Sequence, residues 1–380
     1  MTLPRRAPHL LAIVSIGIVL WFAPELQEAA GFPISYLVFG YTLLFWIAQA
    51  SSWNLFTGYS GYFSFGQGAF FGIGVYATAT LAAKRGFPLV PSAVAGGLLA
   101  GLAAALIGVV VFRLRRLRGE IFALVTLAVA FVLGAVARVT PAIDGGAGVP
   151  MSTVPRPTFL GDFPAMMYRL GLVVAVAAVV AAYAVWSGKL GWGLFAIRDD
   201  EDVAETLGVP TFTYKILAFA LGAFLAGLSG AFHALQIGYV TIEDVFNIRV
   251  PLFVILMGVL GGTRHFLGPV IGAAVVFTLT DRLNRAGLED VSQLLIGSLL
   301  IVVAVVAREG LYVHIRRRPR WALVGTVASL AIVWLVTPGE SVLTRLAYAM
   351  IGAILVVLVP SGAVGWMRRR PVDAPSGADP

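Results

Sequence analysis

The sequence predicts an all-α fold, a polytopic transmembrane helix bundle of about 10–12 spans with broken helices, and three observations predict it. The chain is 59% hydrophobic and only 12% charged, where a soluble globular chain carries about 25% charged residues. Apolar runs long enough to cross a bilayer recur from end to end of its 380 residues. Two of the apolar regions are interrupted by Gly-rich and Ser-rich segments, which bilayer hydrocarbon does not tolerate unless protein or water satisfies the backbone.

The spans fall at 10–24, 34–53, 69–83, 90–112, 121–139, 166–186 and 215–234, then a split apolar region at 251–280, then 293–307, 321–337 and 342–360. Arg5 and Arg6 before the first apolar run resemble a signal peptide, but further spans follow instead of a mature domain, so the run is expected to be retained. In the split region, Pro251–Gly261 and Leu267–Thr280 are each too short for a span of about 20 residues. The region is therefore one long broken helix or two tilted half-spans joined at a turn. Charge favours the second. With a cytoplasmic N-terminus and two passes, 18 of the 27 Lys and Arg lie on the cytoplasmic side, and both termini are cytoplasmic. The net charge of +8 then reflects Arg held at that face and not nucleic-acid binding.

Asn54 to Tyr76 is the most informative stretch. Up to Gln67 it is rich in Gly, Ser, Asn and Thr, and from Gly68 it is apolar and helix-like. It is either an idle connection between spans or, as broken helices at membrane depth suggest, part of a transport route. On the second reading Gly58, Ser60, Gly61, Ser64, Gly66 and Gln67, with Gly261 and Gly262 of the second break, line the path. Small residues recur every four positions at Ala218, Gly222, Ala226, Gly230 and Ala234, at Ala93, Gly97, Gly101 and Ala105, and at Ser64, Gly68 and Gly72. Such stripes let helix backbones approach in lipid, within one bundle or between two chains.

Two loops stand out. Thr140–Ala165 contains Asp144-Gly-Gly-Ala-Gly148 and is expected outside. Ser187–Lys215 is expected inside and contains an acidic two-turn helix. Asp199 can cap it, Asp200, Glu201 and Asp202 suit its first turn, Ala204 and Glu205 follow, Gly208 stops it and Pro210 prevents continuation. Val203 and Leu207 share one face. Such a helix is either surface structure or a knob that docks into a cytoplasmic partner.

Several chemistries have no residues to carry them. There are no cysteines, and the four histidines are scattered without ligand spacing, so no metal or other cofactor is expected. The only Gly-Lys pair, Gly188-Lys189, is followed by Leu190 and has Tyr183 where a P-loop needs its first Gly. Charges inside the spans are nearly absent, because Arg138, Arg169, Asp281 and Arg282 fall near predicted ends, and ion-coupled carriers usually keep such charges on their pathway.

Five blocks, in order and spacing, resemble a known family: Asn54–Tyr76, Leu117–Leu127, Asp144–Gly148, Ala196–Glu201 with Ala204–Gly208 and Tyr214–Phe219, and Gly258–Ala273. They are similar to the permease family of ABC importers for branched-chain amino acids, specifically its LivM-like subunit, with urea and short-amide permeases as relatives. The resemblance implies a non-enzymatic permease core over 1–318 in a prokaryotic plasma (inner) membrane, surrounded by membrane lipid. It implies a sister transmembrane permease (LivH-like), two cytoplasmic ATP-binding subunits and a periplasmic or extracellular solute-binding protein. Asp202-Val-Ala204 with Gly208 matches the family's degenerate EAA…G coupling pattern, with Asp for Glu and Val for the first Ala. Ala307-Arg-Glu-Gly-Leu311 departs from the usual Pro-containing ending, and 319–380 reads as an extension with two further spans and a basic tail. Permeation of urea, amides or another small polar solute, ion-coupled secondary transport and a non-transporting scaffold are the alternatives.

Overall fold

The computed structural model describes residues 6–114, 119–143, 145–287 and 310–317, with single positions at 298, 329, 345 and 349. The chain divides into two compact units, Met1–Phe277 and Thr278–Pro380. The expected spans at 293–307, 321–337 and 342–360, the 319–380 extension and Asp144 lie outside the described residues, single positions aside.

The first unit is helical almost throughout. Helices α1 (Arg6–Trp21) and α2 (Ala23–Ala29) are followed by α3 (Ser35–Ser60), α4 (Gln67–Thr78, prolonged by a π-helical turn to Lys84), α5 (Leu89–Val111) and α6 (Glu120–Val139). Then come α7 (Phe163–Trp186), α8 (Lys189–Asp199), α9 (Glu201–Thr206), α10 (Thr211–Ile237), α11 (Ile242–Val245), α12 (Arg249–Gly261) and α13 (Gly268–Arg285), which runs on into the second unit. In that unit α14 covers Leu311–Arg317. Six helical stretches among the described residues are long and apolar enough to cross a membrane: Pro8–Ala29, Leu89–Val111, Ile121–Val139, Phe163–Trp186, Thr211–Ile237 and Ile242–Gly261.

Helix α3 is also long enough, about 39 Å at 1.5 Å per residue, but more polar, with Gln49, Ser51, Ser52 and Asn54 all buried. It runs through positions expected to be non-helical. The first break is therefore only Gly61–Gly66, not 54–67. The helix persists because tertiary packing encloses it: Phe56 lies against Phe219, and the Tyr59 hydroxyl donates to the Ala182 carbonyl of α7 at 3.2 Å. Gly61 ends it in the left-handed region at φ 77°, which only glycine adopts without strain.

Small residues set the bundle's spacing. A Cβ on Gly74 of α4 would lie 1.9 Å from the Gly227 carbonyl oxygen, and one on Gly230 would lie 2.5 Å from that of Phe71. Gly97 and Gly101 of α5 face Phe224 and Ala220 of α10, and Gly222 faces Ser52 of α3. The stripes on α5 and α10 thus pack within this bundle. The third stripe is not a helical one, because Ser64 lies in the break while Gly68 and Gly72 meet Pro251 and Phe246. Gly74→Ala is expected to cost about 1–3 kcal/mol, the range for overpacking. It would appear as a lower thermal midpoint in detergent, and an unchanged midpoint would show that α4 and α10 separate readily.

The second break is a hairpin turn. A Cβ on Gly272 would lie 1.7 Å from the Met257 carbonyl oxygen, and one on Gly261 would lie 1.8 Å from that of Gly268. Contacts pairing rising with falling residue numbers make α12 and α13 antiparallel neighbours. This is the arrangement of two passes joined at a turn, Gly262–Leu267, although the first pass, counted from Ile242, is long enough to cross and not the short half-span expected.

At one end of the bundle, two-residue strands β1 (Val149–Pro150) and β2 (Tyr239–Val240) pair antiparallel, Val149 opposite Val240. Arg138 pairs with Glu243 at 2.6 Å, and Lys84 donates to the Ile143 carbonyl at 2.7 Å. Arg169 pairs with Glu25 and donates to the Leu160 carbonyl. The opposite end carries both breaks.

Candidate functional site

Helices α8 and α9 form the centre of that second end. Asp200 caps α9, its carboxylate accepting from the backbone N–H groups of Asp202 and Val203 at 3.0 Å. Asp199, expected as the cap, is instead the last residue of α8 and pairs with Arg264 at 3.3 Å. The backbone fixes which aspartate caps: Asp200 is extended while Asp199 is still helical. Glu201 and Asp202 occupy the first turn. At the other end Gly208, at φ 85°, closes a Schellman motif, with its N–H on the Glu205 carbonyl and that of Val209 on the Ala204 carbonyl, both at 3.0 Å.

The helix has two faces. Ala204 is buried, whereas Val203 and Leu207 are 53% and 78% exposed. Glu201 turns inward. Its carboxylate pairs with the Lys215 ammonium of α10 at 2.5 Å and accepts from the Tyr62 hydroxyl of the first break. The side chains of Lys215 and Glu201 are only 4% and 10% exposed. The ammonium also lies 4.9 Å from the Tyr62 ring and 5.1 Å from that of Phe112, a geometry favourable to a cation. A cavity of about 200 Å³ adjoins this pair.

Arg198 makes a second tie. Its guanidinium donates to the Gly58 carbonyl of α3 and, at 3.2 Å, to the Thr263 hydroxyl of the hairpin turn. Burial lowers its pKa from the usual arginine value, Arg264 acts the same way and Asp199 opposes them. One residue at the end of α8 thus joins the last turn of α3, just before the first break, to the second break, and the adjacent ion pair of Asp199 with Arg264 repeats the link to the hairpin.

Several of the residues expected to line a path make hydrogen bonds at the first break. The Gln67 amide donates to the Gln49 amide oxygen at 2.6 Å and to the Ser52 hydroxyl at 2.8 Å. The Ser64 hydroxyl accepts from Gly66 N–H, and the Ser64 carbonyl accepts from the Trp53 indole at 2.8 Å. Thr126 of α6 accepts from Phe65 N–H. These bonds supply the partners that non-helical backbone needs at membrane depth. Gly58 and Gly61 lie under Arg198, a Cβ on Gly61 falling 2.9 Å from its Cγ. Gly66 meets Phe70 and Thr126. Gly261 serves the hairpin packing, and Gly262 opens the turn at φ 108°.

Sequence reasoning missed Tyr62, Arg198, Lys215 and Thr263. A signal for Arg198 was present. Breaks leave carbonyls without helical partners, and an arginine directly before an acidic run is a donor that the run does not need.

The family model described as the branched-chain amino acid transport system permease component matches residues 33–304. The high-affinity branched-chain amino acid transport system permease protein LivM of Escherichia coli is 28% identical over 284 residues, 68% of this chain and 65% of the relative. LivM of Salmonella typhimurium matches to the same extent. The ribose import permease protein RbsC of Bacillus subtilis is 26% identical over 147 residues, 36% of this chain and 46% of the relative. The match thus spans less than two thirds, 65%, of the length of the LivM relatives. No solved structure matches. The helical architecture with its two breaks and the match over 33–304 place this chain in the branched-chain amino acid transport system permease family.

Proposed function

We propose that the chain is the transmembrane permease subunit of an ATP-driven importer for branched-chain or related amino acids. It forms the translocation path with a sister permease, takes solute from a binding protein outside and is driven by two cytoplasmic ATP-binding subunits. The reading places α8 and α9 at the cytoplasmic face, with both termini on that side, because Lys and Arg concentrate there. It draws its solute from the LivM relatives, whose names state that transport.

One observation carries the proposal. Helix α9 presents Val203 and Leu207 outward while its inner side and the end of α8 bind both breaks, through Glu201 with Tyr62 and Lys215 and through Arg198 with Gly58 and Thr263. A partner that pushes on the exposed pair moves both breaks together, and the cavity beside Lys215 leaves room for the shift. Rocking of α3 and of the α12–α13 hairpin would then alternate access to the path.

The test is to purify the chain assembled with its sister permease and ATP-binding subunits and to measure ATP-dependent leucine uptake into vesicles in the presence of the binding protein. Leu207→Glu with Val203→Glu is expected to abolish co-purification of the ATPase. The thermal midpoint should stay unchanged, since exposed substitutions usually alter stability by under about 0.5 kcal/mol. Leucine uptake by this chain alone, driven by a proton or sodium gradient, would overturn the proposal.

A further inference from the structure

We infer that Ser51, Asn54 and Thr57 are the polar groups that meet the solute when the seam between α3 and the α12–α13 hairpin opens. The inference rests on the transport reading above and replaces Ser60, Ser64 and Gln67 as the lining.

The observation is a contrast along one helix. Ser52 and Ser60 donate to carbonyls of their own helix, at Gln49 and Phe56, and Gln49 is bonded to Gln67 and to the Ala226 carbonyl. Ser51, Asn54 and Thr57 are as deeply buried, at 0%, 0% and 5% exposure, yet the two hydroxyls and the Asn54 amide oxygen have no hydrogen-bond partner among the described residues, and the Asn54 amide nitrogen has only a loose contact with the Tyr59 hydroxyl. Back-bonding to the preceding turn is open to any helical Ser or Thr, and these two do not use it. Spaced three apart, the three side chains fall on one side of the helix. Three unmade bonds within seven residues are costly in a membrane, where no solvent rescues them. Their partners are expected in another state of the protein.

Gly58 shows where the strip points. A Cβ there would lie 2.0 Å from the Asn54 amide oxygen and 2.7 Å from the Thr263 carbonyl oxygen, so Asn54 reaches the hairpin turn beside the contact that Arg198 bridges. Release of Arg198 would part α3 from the turn at this place. The strip offers an amide that both donates and accepts and two hydroxyls, with no fixed charge. That set suits a small solute carrying donors and acceptors but no net charge, such as a zwitterionic amino acid.

The chain has no native cysteine, so it can be probed by single substitutions. Ser51→Cys, Asn54→Cys and Thr57→Cys would be made in the full-length chain assembled with its partner subunits in membranes, with Ser60→Cys and Ser64→Cys as comparison. Modification by methanethiosulfonate ethylammonium would be timed with and without ATP. The first three are expected to react at least tenfold faster during turnover and to be protected by leucine, while the comparison pair keeps one rate. Asn54→Leu, which removes the unmade bond without changing size, is expected to keep or raise the thermal midpoint and to raise KM for leucine uptake roughly tenfold. Rates independent of ATP, equal reactivity at Ser60→Cys and Ser64→Cys, or an unchanged KM in Asn54→Leu would each overturn the inference. ATP-dependent uptake with the three positions unreactive overturns it alone. Absence of ATP-dependent uptake in the unsubstituted assembly overturns the transport reading as well. Protection by ribose in place of leucine would overturn the assignment to an amino acid.

Discussion

Replacing Arg198 with alanine is expected to reduce ATP-driven leucine uptake about a hundredfold while ATP hydrolysis continues. The guanidinium donates to the Gly58 carbonyl and the Thr263 hydroxyl, on two different broken segments. A hydrogen bond to a charged group contributes about 1.5–3 kcal/mol. Arg198 is half-buried, so we count roughly 3 kcal/mol for the two bonds together, or about two orders of magnitude in a coupled step. The loss should fall on coupling and not on ATP turnover, because the exposed residues Val203 and Leu207 are untouched. Arg198→Lys tests the geometry. An ammonium lacks the planar fork, so an intermediate loss is expected. Uptake and hydrolysis falling in parallel would show that Arg198 acts on assembly or folding and not on coupling.

Glu201→Leu is expected to be the most destabilising single change at this end of the bundle. It removes the carboxylate from a Lys215 ammonium that is 4% exposed and has the Tyr62 hydroxyl at 3.3 Å as its other polar contact in the site. Breaking a buried pair by taking one partner costs about 3–5 kcal/mol, whereas replacing both by apolar residues is often neutral. Glu201→Leu combined with Lys215→Met should therefore regain most of the thermal midpoint lost in the single variant, a coupling that a double-mutant cycle measures. Uptake should stay low in the double variant, since the tie from α9 to Tyr62 is gone from both. A double variant no more stable than Glu201→Leu would show that the pair is not the unit that matters. Recovery of uptake together with stability would remove Tyr62 from the coupling route.

Both expectations concern contacts between different helices, and such contacts were not legible in advance. The acidic helix was legible almost residue by residue, because a cap, a first turn and a glycine stop are local: Asp200, Glu201, Asp202 and Gly208 act within a few residues of themselves. Even there the cap was one residue out, since Asp199 and Asp200 have the same chemistry and only the backbone tells them apart. The two breaks were also legible, but not their limits. Asn54 to Ser60 is too polar to look like a membrane helix, and it is one because the surrounding helices enclose it.

By itself the sequence determined the membrane class, from recurrent apolar runs with few charges, and the family, from five ordered blocks that all lie within the match over 33–304. It also determined the capped acidic helix, from interactions between near neighbours. Only the tertiary structure decided how the polar residues around the breaks are used. Ser60, Ser64 and Gln67 are hydrogen-bonded at or beside the first break, Arg198 and Glu201 tie that region to α8 and α9, and Ser51, Thr57 and the Asn54 amide oxygen are left without partners among the described residues. A serine's type and position say that it can form a hydrogen bond. Whether it already has one depends on what the rest of the chain brings to it.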